Sequence, residues 1–282
     1  MLDLLKDAII DVLKLIPFLF ITFLLLEYIE HKMSKKNIKY LTNKGKFGPI
    51  IGGVLGAFPQ CGFSAMATKL FSSRVITLGT LISIYLSCSD EMLPILISSG
   101  TNISIILKIL GIKILIGIFF GFLIDLFYRK QRLNSYEEIH DMCTHSSCHC
   151  EKGILHSSIH HTLHIIIYLF IVTFLINIII YFVGEDNISN FLLNSGSIKY
   201  LVSSLIGLIP NCASSVIITE IYLSGMISLG TLLSGLLTGS GIGILILFRT
   251  NKNLKENLYI ILLIYVIGVM CGFLIDKLGI IF

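Results

Sequence analysis

Residues 51–73 read “IGGVLGAFPQCGFSAMATKLFSS”, and residues 202–224 read “VSSLIGLIPNCASSVIITEIYLS”. Each stretch places a proline, an amide side chain and a cysteine in the middle of an apolar run. Proline removes a backbone donor and ends a helix. Inside a membrane, such a break is tolerated only where protein buries the freed backbone or water reaches it. The chain therefore repeats a costly local structure, and the repetition needs a physical reason.

The composition predicts a polytopic membrane protein. Of the 282 residues, 55% are hydrophobic and 13% are charged, which is more apolar surface than a soluble domain of this length buries. The net charge of +4 fits membrane topology and does not indicate a nucleic-acid partner. Four apolar runs are long enough to cross a hydrocarbon core of about 30 Å. They are 8–30, 103–127, 162–183 and 256–276.

A constant offset of 151 residues aligns the two halves of the chain without a gap over about 75 positions. It pairs Pro59 with Pro210, and “GFLID” occurs at 121–125 and again at 272–276. The sequence therefore predicts one duplicated unit. The expected domains are a first membrane repeat at 1–128, a cytoplasmic His/Cys-rich linker at 129–161 and a second membrane repeat at 162–282.

Lysine and arginine content predicts that the two repeats have opposite orientations. The 31–46 loop carries six lysines, whereas the corresponding 184–199 loop carries two acids and one lysine. Likewise, 98–103 is uncharged and 249–257 carries three basic residues. Because basic residues accumulate on the cytoplasmic side of short loops, matched loops face opposite sides. We expect an all-α, multi-pass protein of the cell membrane, built from inverted repeats with both termini outside.

The pieces on either side of Pro59 and Pro210 are about a dozen residues long, too short to cross a membrane alone. We expect 47–72 and 198–223 to be re-entrant, with Pro-x-Cys at the tip and Gly62 allowing the first turn. A broken spanning helix remains the alternative, and so does a simple kink with a small packing residue. Broken segments at matching positions of two halves are typical of transporter substrate sites.

Three elements carry a family resemblance: the duplicated “GxxPxC”, the “SDE” at 89–91 and the “LLLEYIEH” that closes the first helix. With them the chain resembles a family of ten-segment heavy-metal exporters, whose members are described as arsenic efflux proteins or manganese transporters. The resemblance covers most of the chain outside the linker. It implies an integral-membrane exporter of a metal or metalloid, and the direction of transport rests on it alone.

The candidate ion site centres on two acids within the apolar segment 75–99. Intramembrane carboxylates are rare and mark functional sites, although a short cytoplasmic turn is the alternative. The acids belong to one half, because Gly239-Ser240-Gly241-Ile242 replaces Cys88-Ser89-Asp90-Glu91 in the other. The predicted ligands are Asp90, Glu91, Cys61, Cys212, Gln60, Asn211, Ser64, Ser215, Cys88 and Ser89. The predicted helix breaks are Pro59, Gly62, Pro210 and Pro94, and the lysines able to neutralise an acid are Lys69, Lys108 and Lys113.

Two further groups lie outside this core. Glu27, Glu30 and His31 share one helix face, where they either admit cations and relay protons or form an ordinary charged helix end. Seven histidines and three cysteines crowd into 140–164, a composition that binds ions such as zinc without a fixed site. The linker is thus either a metal-capturing loop or a polar connection. Its expected ligands are Cys143, His145, Cys148, His149 and Cys150.

Paired glycines and paired acids recur in the last helix of each repeat. Gly117 with Gly121 and Gly268 with Gly272 have the G-x-x-x-G spacing that lets membrane helices approach closely. The acids Asp125 and Asp276 close the two “GFLID” copies, and we expect them to be interfacial helix ends.

Two function classes remain. The first is a secondary-active, proton-coupled metal exporter, since no G-x-x-x-x-G-K-[ST] loop for nucleotide occurs. Oxygen ligands favour Mn²⁺, whereas thiols favour zinc, cadmium or trivalent arsenic, and we favour Mn²⁺ because the acids require a cation. The second is a thiol electron carrier that uses Cys61 and Cys212, with an organic-solute or lipid transporter as a further alternative. We expect no enzymatic activity and no tightly bound cofactor, with the metal and the lipid bilayer as partners and a homo-oligomer left open.

Overall fold

The computed structural model describes residues 47–58, 61–89, 92–128 and 198–280, together with Phe20, Leu24 and eight helical positions between 163 and 178. Within these ranges the regular structure is helical and no strand occurs. The predicted spans at 8–30 and 162–183 fall mostly outside the described residues. The 129–161 linker lies wholly outside them, so the boundaries predicted there stay predictions.

The described ranges form ten helices in two series of five. In the first series they are α1 Gly48–Gly56, α2 Cys61–Ser72, α3 Leu78–Ser87, α4 Met92–Ser98 and α5 Ile103–Tyr128. In the second they are α6 Lys199–Gly207, α7 Cys212–Leu223, α8 Leu229–Thr238, α9 Gly243–Thr250 and α10 Leu254–Lys277. Each helix of the second series begins 151 residues after its counterpart in the first. The sequence offset therefore reappears as an equal order and spacing of helices.

Four candidate membrane-spanning helices are present in the part of the chain that the structure describes. Two are continuous, α5 and α10, and two are interrupted pairs, α3 with α4 and α8 with α9. The interrupted pairs are 81% and 78% buried within the protein, whereas α5 and α10 are only 22% and 39% buried. The interrupted pairs therefore form the protein core, and the long helices turn apolar side chains such as Leu115, Phe119 and Leu262 outward, as lipid contact requires.

Glycines bring the long helices against the interrupted ones. A Cβ atom at position 121 would lie 2.7 Å from the carbonyl oxygen of Gly79, and one at position 272 would lie 2.5 Å from that of Gly230. Two helix backbones at this distance leave no room for a side chain between them. The G-x-x-x-G spacing thus packs α5 against α3 and α10 against α8, as small residues do in membrane helix pairs.

An acid at the end of each long helix holds the start of its partner. Asp125 accepts a bond from the Gly79 amide at 2.9 Å and one from the Thr77 hydroxyl at 2.6 Å. Asp276 accepts the equivalent bond from the Gly230 amide at 2.8 Å. The first amides of a helix have no partner within it and attract negative charge. The end of α5 therefore lies beside the start of α3, and the end of α10 beside the start of α8.

Helices α1 and α2 form a hairpin whose tip is level with the α3–α4 break. Helix α1 runs beside α3, with the Ser83 hydroxyl 2.6 Å from the Pro49 carbonyl and a Cβ at Gly56 within contact of Ser87. In a straight line α1 and α2 would span about 31 Å. Only five residues, 73–77, connect α2 to the start of α3, and they reach about 20 Å at most. Helix α2 must therefore turn back.

The second series repeats this hairpin. The Ser203 hydroxyl in α6 lies 2.7 Å from the Thr231 carbonyl in α8, and 224–228 is again a five-residue connection. Gly62 lies within the first turn of α2, and its counterpart Ala213 lies within the first turn of α7. Because alanine supports the same helix, the turn does not require a glycine at this position. The second hairpin bends in the residues just before Cys212.

Candidate functional site

A small cavity lies where three helix breaks converge. Its volume is about 20 Å³, which is room for about one water molecule or a bare ion. It is bounded by the α3–α4 break of one half and by the α6–α7 and α8–α9 breaks of the other. The lining residues are Cys88, Ser89, Met92, Gly207, Ile209, Asn211, Ser214, Ser215, Leu236, Gly239 and Gly241.

The α6–α7 break satisfies part of its own backbone. Asn211 is the N-cap of α7, and its side-chain oxygen accepts from the Ala213 amide at 3.4 Å. The Ser214 hydroxyl donates to the Asn211 carbonyl at 2.8 Å and approaches that of Ile209 at 3.2 Å. Proline at position 210 prevents the helix from continuing through this point. The break is thus held open by side chains that also line the cavity.

A buried lysine supports the α3–α4 break. Lys113 of α5 has no exposed surface, and its ammonium group donates to the carbonyl of Cys88. Of the three lysines considered from the sequence, this one therefore reaches the break. Its counterpart in the other half is Ile264 of α10. This buried charge therefore belongs to the first half only.

Ser240 is the buried counterpart of Ser89 but is bonded differently. The Ser89 hydroxyl donates to the Ser87 carbonyl at 3.0 Å. The Ser240 hydroxyl is 1% exposed and has no hydrogen-bond partner among the described residues. A buried polar group without a partner is costly and commonly marks a place where a ligand or water completes the bonding. Its neighbours Gly239 and Gly241 both line the cavity.

The two halves interlock on either side of the cavity. Helix α2 packs on α9, and its counterpart α7 packs on α4. At the first crossing, the Thr68 hydroxyl bonds the Tyr85 hydroxyl and lies 3.2 Å from the Gly243 carbonyl. Ser64 belongs to this crossing, since a Cβ atom at Gly243 would lie 3.1 Å from the Cβ atom of Ser64. Its counterpart Ser215 instead lines the cavity.

A family model described as “Putative, 10TM heavy-metal exporter” matches residues 1–200 and, in a second and overlapping match, residues 168–280. The chain belongs to this family. The resemblance expected from the duplicated “GxxPxC” and the “SDE” is thereby confirmed. Comparison with curated proteins and with solved structures found no match.

For this member of the exporter family, the structure brings four of the predicted ligands to one cavity: Cys88, Ser89, Asn211 and Ser215. It places Cys61 and Cys212 at the first position of α2 and α7, and their side chains are outside the described part. Other predicted residues lie wholly outside the described ranges. They are Pro59, Gln60, Asp90, Glu91, Glu27, Glu30, His31, Cys143, His145, Cys148, His149 and Cys150.

Seven lining residues were not predicted: Met92, Gly207, Ile209, Ser214, Leu236, Gly239 and Gly241. The repeat offset contained a signal for Gly239 and Gly241, because it pairs them with Cys88 and Asp90. Among the described residues, no three His, Cys, Asp or Glu side chains lie together as a metal site would require. The described lining therefore provides oxygen and sulfur atoms, and in sequence the two acids follow Ser89 directly.

Proposed function

We propose that the chain is a secondary-active exporter that binds its metal ion or metalloid in the cavity between the helix breaks. The observation that carries the proposal is the convergence of three breaks, drawn from both halves, on one buried space. Broken membrane helices at matching positions are where transporters place their substrates. Hydroxyl, amide and carbonyl oxygens line the space, with the sulfur of Cys88 and Met92 beside them.

The ligand set supports a divalent cation, with Mn²⁺ favoured over Zn²⁺, Cd²⁺ or arsenite. Oxygen ligands suit Mn²⁺, and Asp90 and Glu91 adjoin the described lining in sequence. A neutral arsenous acid would not need two carboxylates. The small volume also disfavours an organic solute as the bound species in this conformation.

We also propose that the repeats are inverted. The Asp125 bonds place the end of α5 at the face where α3 begins. The Ser72 and Thr250 hydroxyls, 2.8 Å apart, join the end of α2 to the end of α9 near that face. The α3–α4 pair would therefore begin at the face where the α8–α9 pair ends, so that the two pairs run in opposite directions. The basic residues of 249–257 support a cytoplasmic position for this face.

In this arrangement the two hairpins are re-entrant from opposite sides. Helices α1 and α2 would enter from the cytoplasm, and α6 and α7 from outside, so that both tips reach the depth of the cavity. Rocking of one half against the other would then expose the site alternately to each side. Proton entry through Asp90 and Glu91 would drive export, because carboxylates must be deprotonated to hold a metal.

Growth and metal content of an expressing strain test this function. Cells should tolerate more Mn²⁺ and retain less of it than cells with an empty vector, in a panel with Zn²⁺, Cd²⁺ and arsenite measured by mass spectrometry. Tolerance of arsenite alone would instead indicate that the thiols bind the substrate and that it is trivalent arsenic. No change for any of the four would contradict metal export. A reducible Cys61–Cys212 bridge in purified protein would then favour the electron carrier.

A further inference from the structure

A two-point ion pair joins the halves at the proposed cytoplasmic face. Arg74 follows α2, and its two terminal nitrogens bond the two carboxylate oxygens of Glu256 in α10 at 2.8 and 3.0 Å. Asn251 donates to the same carboxylate at 2.9 Å and to the buried Asn257 at 2.8 Å. The carboxylate is thereby held in one orientation. Two-point contact of this kind is the strong form of the arginine–carboxylate pair.

The backbone of Arg74 adopts a conformation that its side chain does not favour. Its φ is 57°, the left-handed region, and within the described ranges no other non-glycine residue has a positive φ. The corresponding residue of the second half is Gly225, with φ 74°. A side chain in this region costs roughly 1 kcal/mol, which glycine avoids. The backbone is therefore strained at Arg74 in the first half and unstrained at Gly225 in the second. The arginine side chain forms the contact with Glu256, which a glycine could not.

Among the described residues, the matched positions of the opposite face cannot form this pair between the halves. The offset matches Arg74 with Gly225 and Glu256 with Ile105, neither of which can form an ion pair. It also matches the Ser72–Thr250 hydrogen bond with Leu223 and Ser99, and leucine has no polar side chain. The Arg74–Glu256 pair and the Ser72–Thr250 hydrogen bond thus lie on one face, and their matched positions on the other face cannot form them, although the crossing of α7 with α4 repeats the packing itself.

We propose that the Arg74–Glu256 pair is a latch that holds the cytoplasmic side closed in the resting protein. Opening that side requires α2 to separate from α9 and the start of α10, and this separation breaks the pair. Opening the outer side separates α7 from α4, where the matched residues Gly225 and Ile105 cannot form such a pair. This proposal rests on the proposed function, with inverted repeats and alternating access. It implies that the interface between the halves is more stable on the cytoplasmic side than on the outer side.

Hydrogen exchange of the full-length protein in lipid nanodiscs, without metal, tests the latch separately from transport. Glu256→Gln should speed amide exchange in 66–76 and 246–254 by about twofold to fivefold, the range expected for a partly exposed ion pair. Exchange in 219–227 and 97–105 should slow at the same time, because closing one face accompanies opening of the other. Arg74→Gly should have the same effect while relieving the backbone strain.

Since the two charges act as one pair, the Arg74→Gly, Glu256→Gln double variant should exchange like either single variant. A mirrored variant with Gly225→Arg and Ile105→Glu should protect 219–227 and 97–105 and expose the cytoplasmic segments. Faster exchange at 66–76 alone, with the opposite face unchanged, would reduce the pair to a local structural contact and overturn the proposal. Unchanged exchange in both single variants would overturn it as well.

Discussion

At the scale of single residues, the buried hydroxyls mostly serve the backbone. Ser87 donates to the Ser83 carbonyl one turn earlier at 2.8 Å, and Ser204 donates across to the Ser234 carbonyl at 3.0 Å. In an apolar surrounding, a hydroxyl without an acceptor would be costly, and a carbonyl one turn back is always in reach. A serine in a membrane helix is therefore weak evidence for a ligand. The unpartnered Ser240 is the informative exception within the described ranges.

Replacing Gly121 with alanine should destabilise the protein by about 1–3 kcal/mol, the cost of overpacking a filled interface. The new Cβ would lie 2.7 Å from the Gly79 carbonyl oxygen and 2.9 Å from Pro49. Gly111→Ala on the same helix is the matched control, because no atom lies within 4 Å of that position. Thermal unfolding in detergent should show a lower midpoint for Gly121→Ala only. Equal midpoints would contradict the close packing of α3 and α5.

Asp90→Asn and Glu91→Gln should each abolish metal export in a protein that folds and inserts normally, because each substitution keeps the side-chain shape and removes the charge. Glu220→Gln in α7, at an exposed position, is the matched control and should export normally. The measurement is metal efflux from preloaded cells, with protein in the membrane quantified in parallel. Normal efflux by the double variant would show that the two carboxylates are not ligands, and it would favour the thiol alternatives.

At the scale of elements, each interrupted helix is held by its neighbours at two levels. Helix α3 receives the Asp125 carboxylate at its start, and Lys113 of the same neighbour supports the carbonyl at its end. Between these two contacts, the glycines of α5 let its backbone lie in contact with the backbone of α3. A helix of ten residues is marginal alone, so its position depends on these contacts. The break, and with it one wall of the cavity, is therefore positioned by α5.

Asp125→Asn should lower the free energy of unfolding by about 1–3 kcal/mol, since it weakens charge-assisted bonds to the Gly79 amide and the Thr77 hydroxyl. Asp276→Asn should have a similar effect in the second half. Denaturant unfolding monitored by circular dichroism would measure both changes. If both variants unfolded at the wild-type denaturant concentration, the acids would be ordinary interfacial residues without a capping role.

At the scale of the whole molecule, the halves are joined by crossings that exchange their roles. Helix α2 contacts α9 and α7 contacts α4, while α3 and α8 meet between them. The two crossings are made by corresponding helices of the two series, and the cavity lies where the breaks of both halves meet. Four charged residues of the first half break the symmetry, because Lys113, Arg74, Asp90 and Glu91 have uncharged counterparts. Function therefore depends on the differences between the repeats as much as on their similarity.

Cysteine-accessibility mapping in intact cells should find 32–46 and 129–152 protected from an impermeant reagent and 184–199 labelled, because the matched loops differ in basic charge. Labelling of all three after permeabilisation is the control for reactivity. Finding 32–46 and 184–199 on the same side of the membrane would contradict inverted topology.

The sequence predicted most of the element order but only part of the site. The offset of 151 residues reappears in every matched helix start. Pro210 lies between α6 and α7 as predicted, whereas Pro94 lies in the first turn of α4, where proline is tolerated, and not in the break that precedes it. Cys88, Ser89, Asn211 and Ser215 were recognisable because they belong to repeated or charged motifs. Met92 and Ser214 were not, since the crossing of the halves brings them to the cavity and no periodicity encodes that crossing. The Arg74–Glu256 pair was missed because it has no repeated counterpart.

The acid caps make each half self-contained in one respect. Asp125 bonds within the first half and Asp276 within the second, so neither half depends on the other for this contact. Each long helix is therefore fixed to the interrupted helix of its own half whichever way that half faces in the membrane. The charged residues that occur in one half only, such as Lys113 and Arg74, take no part in these caps.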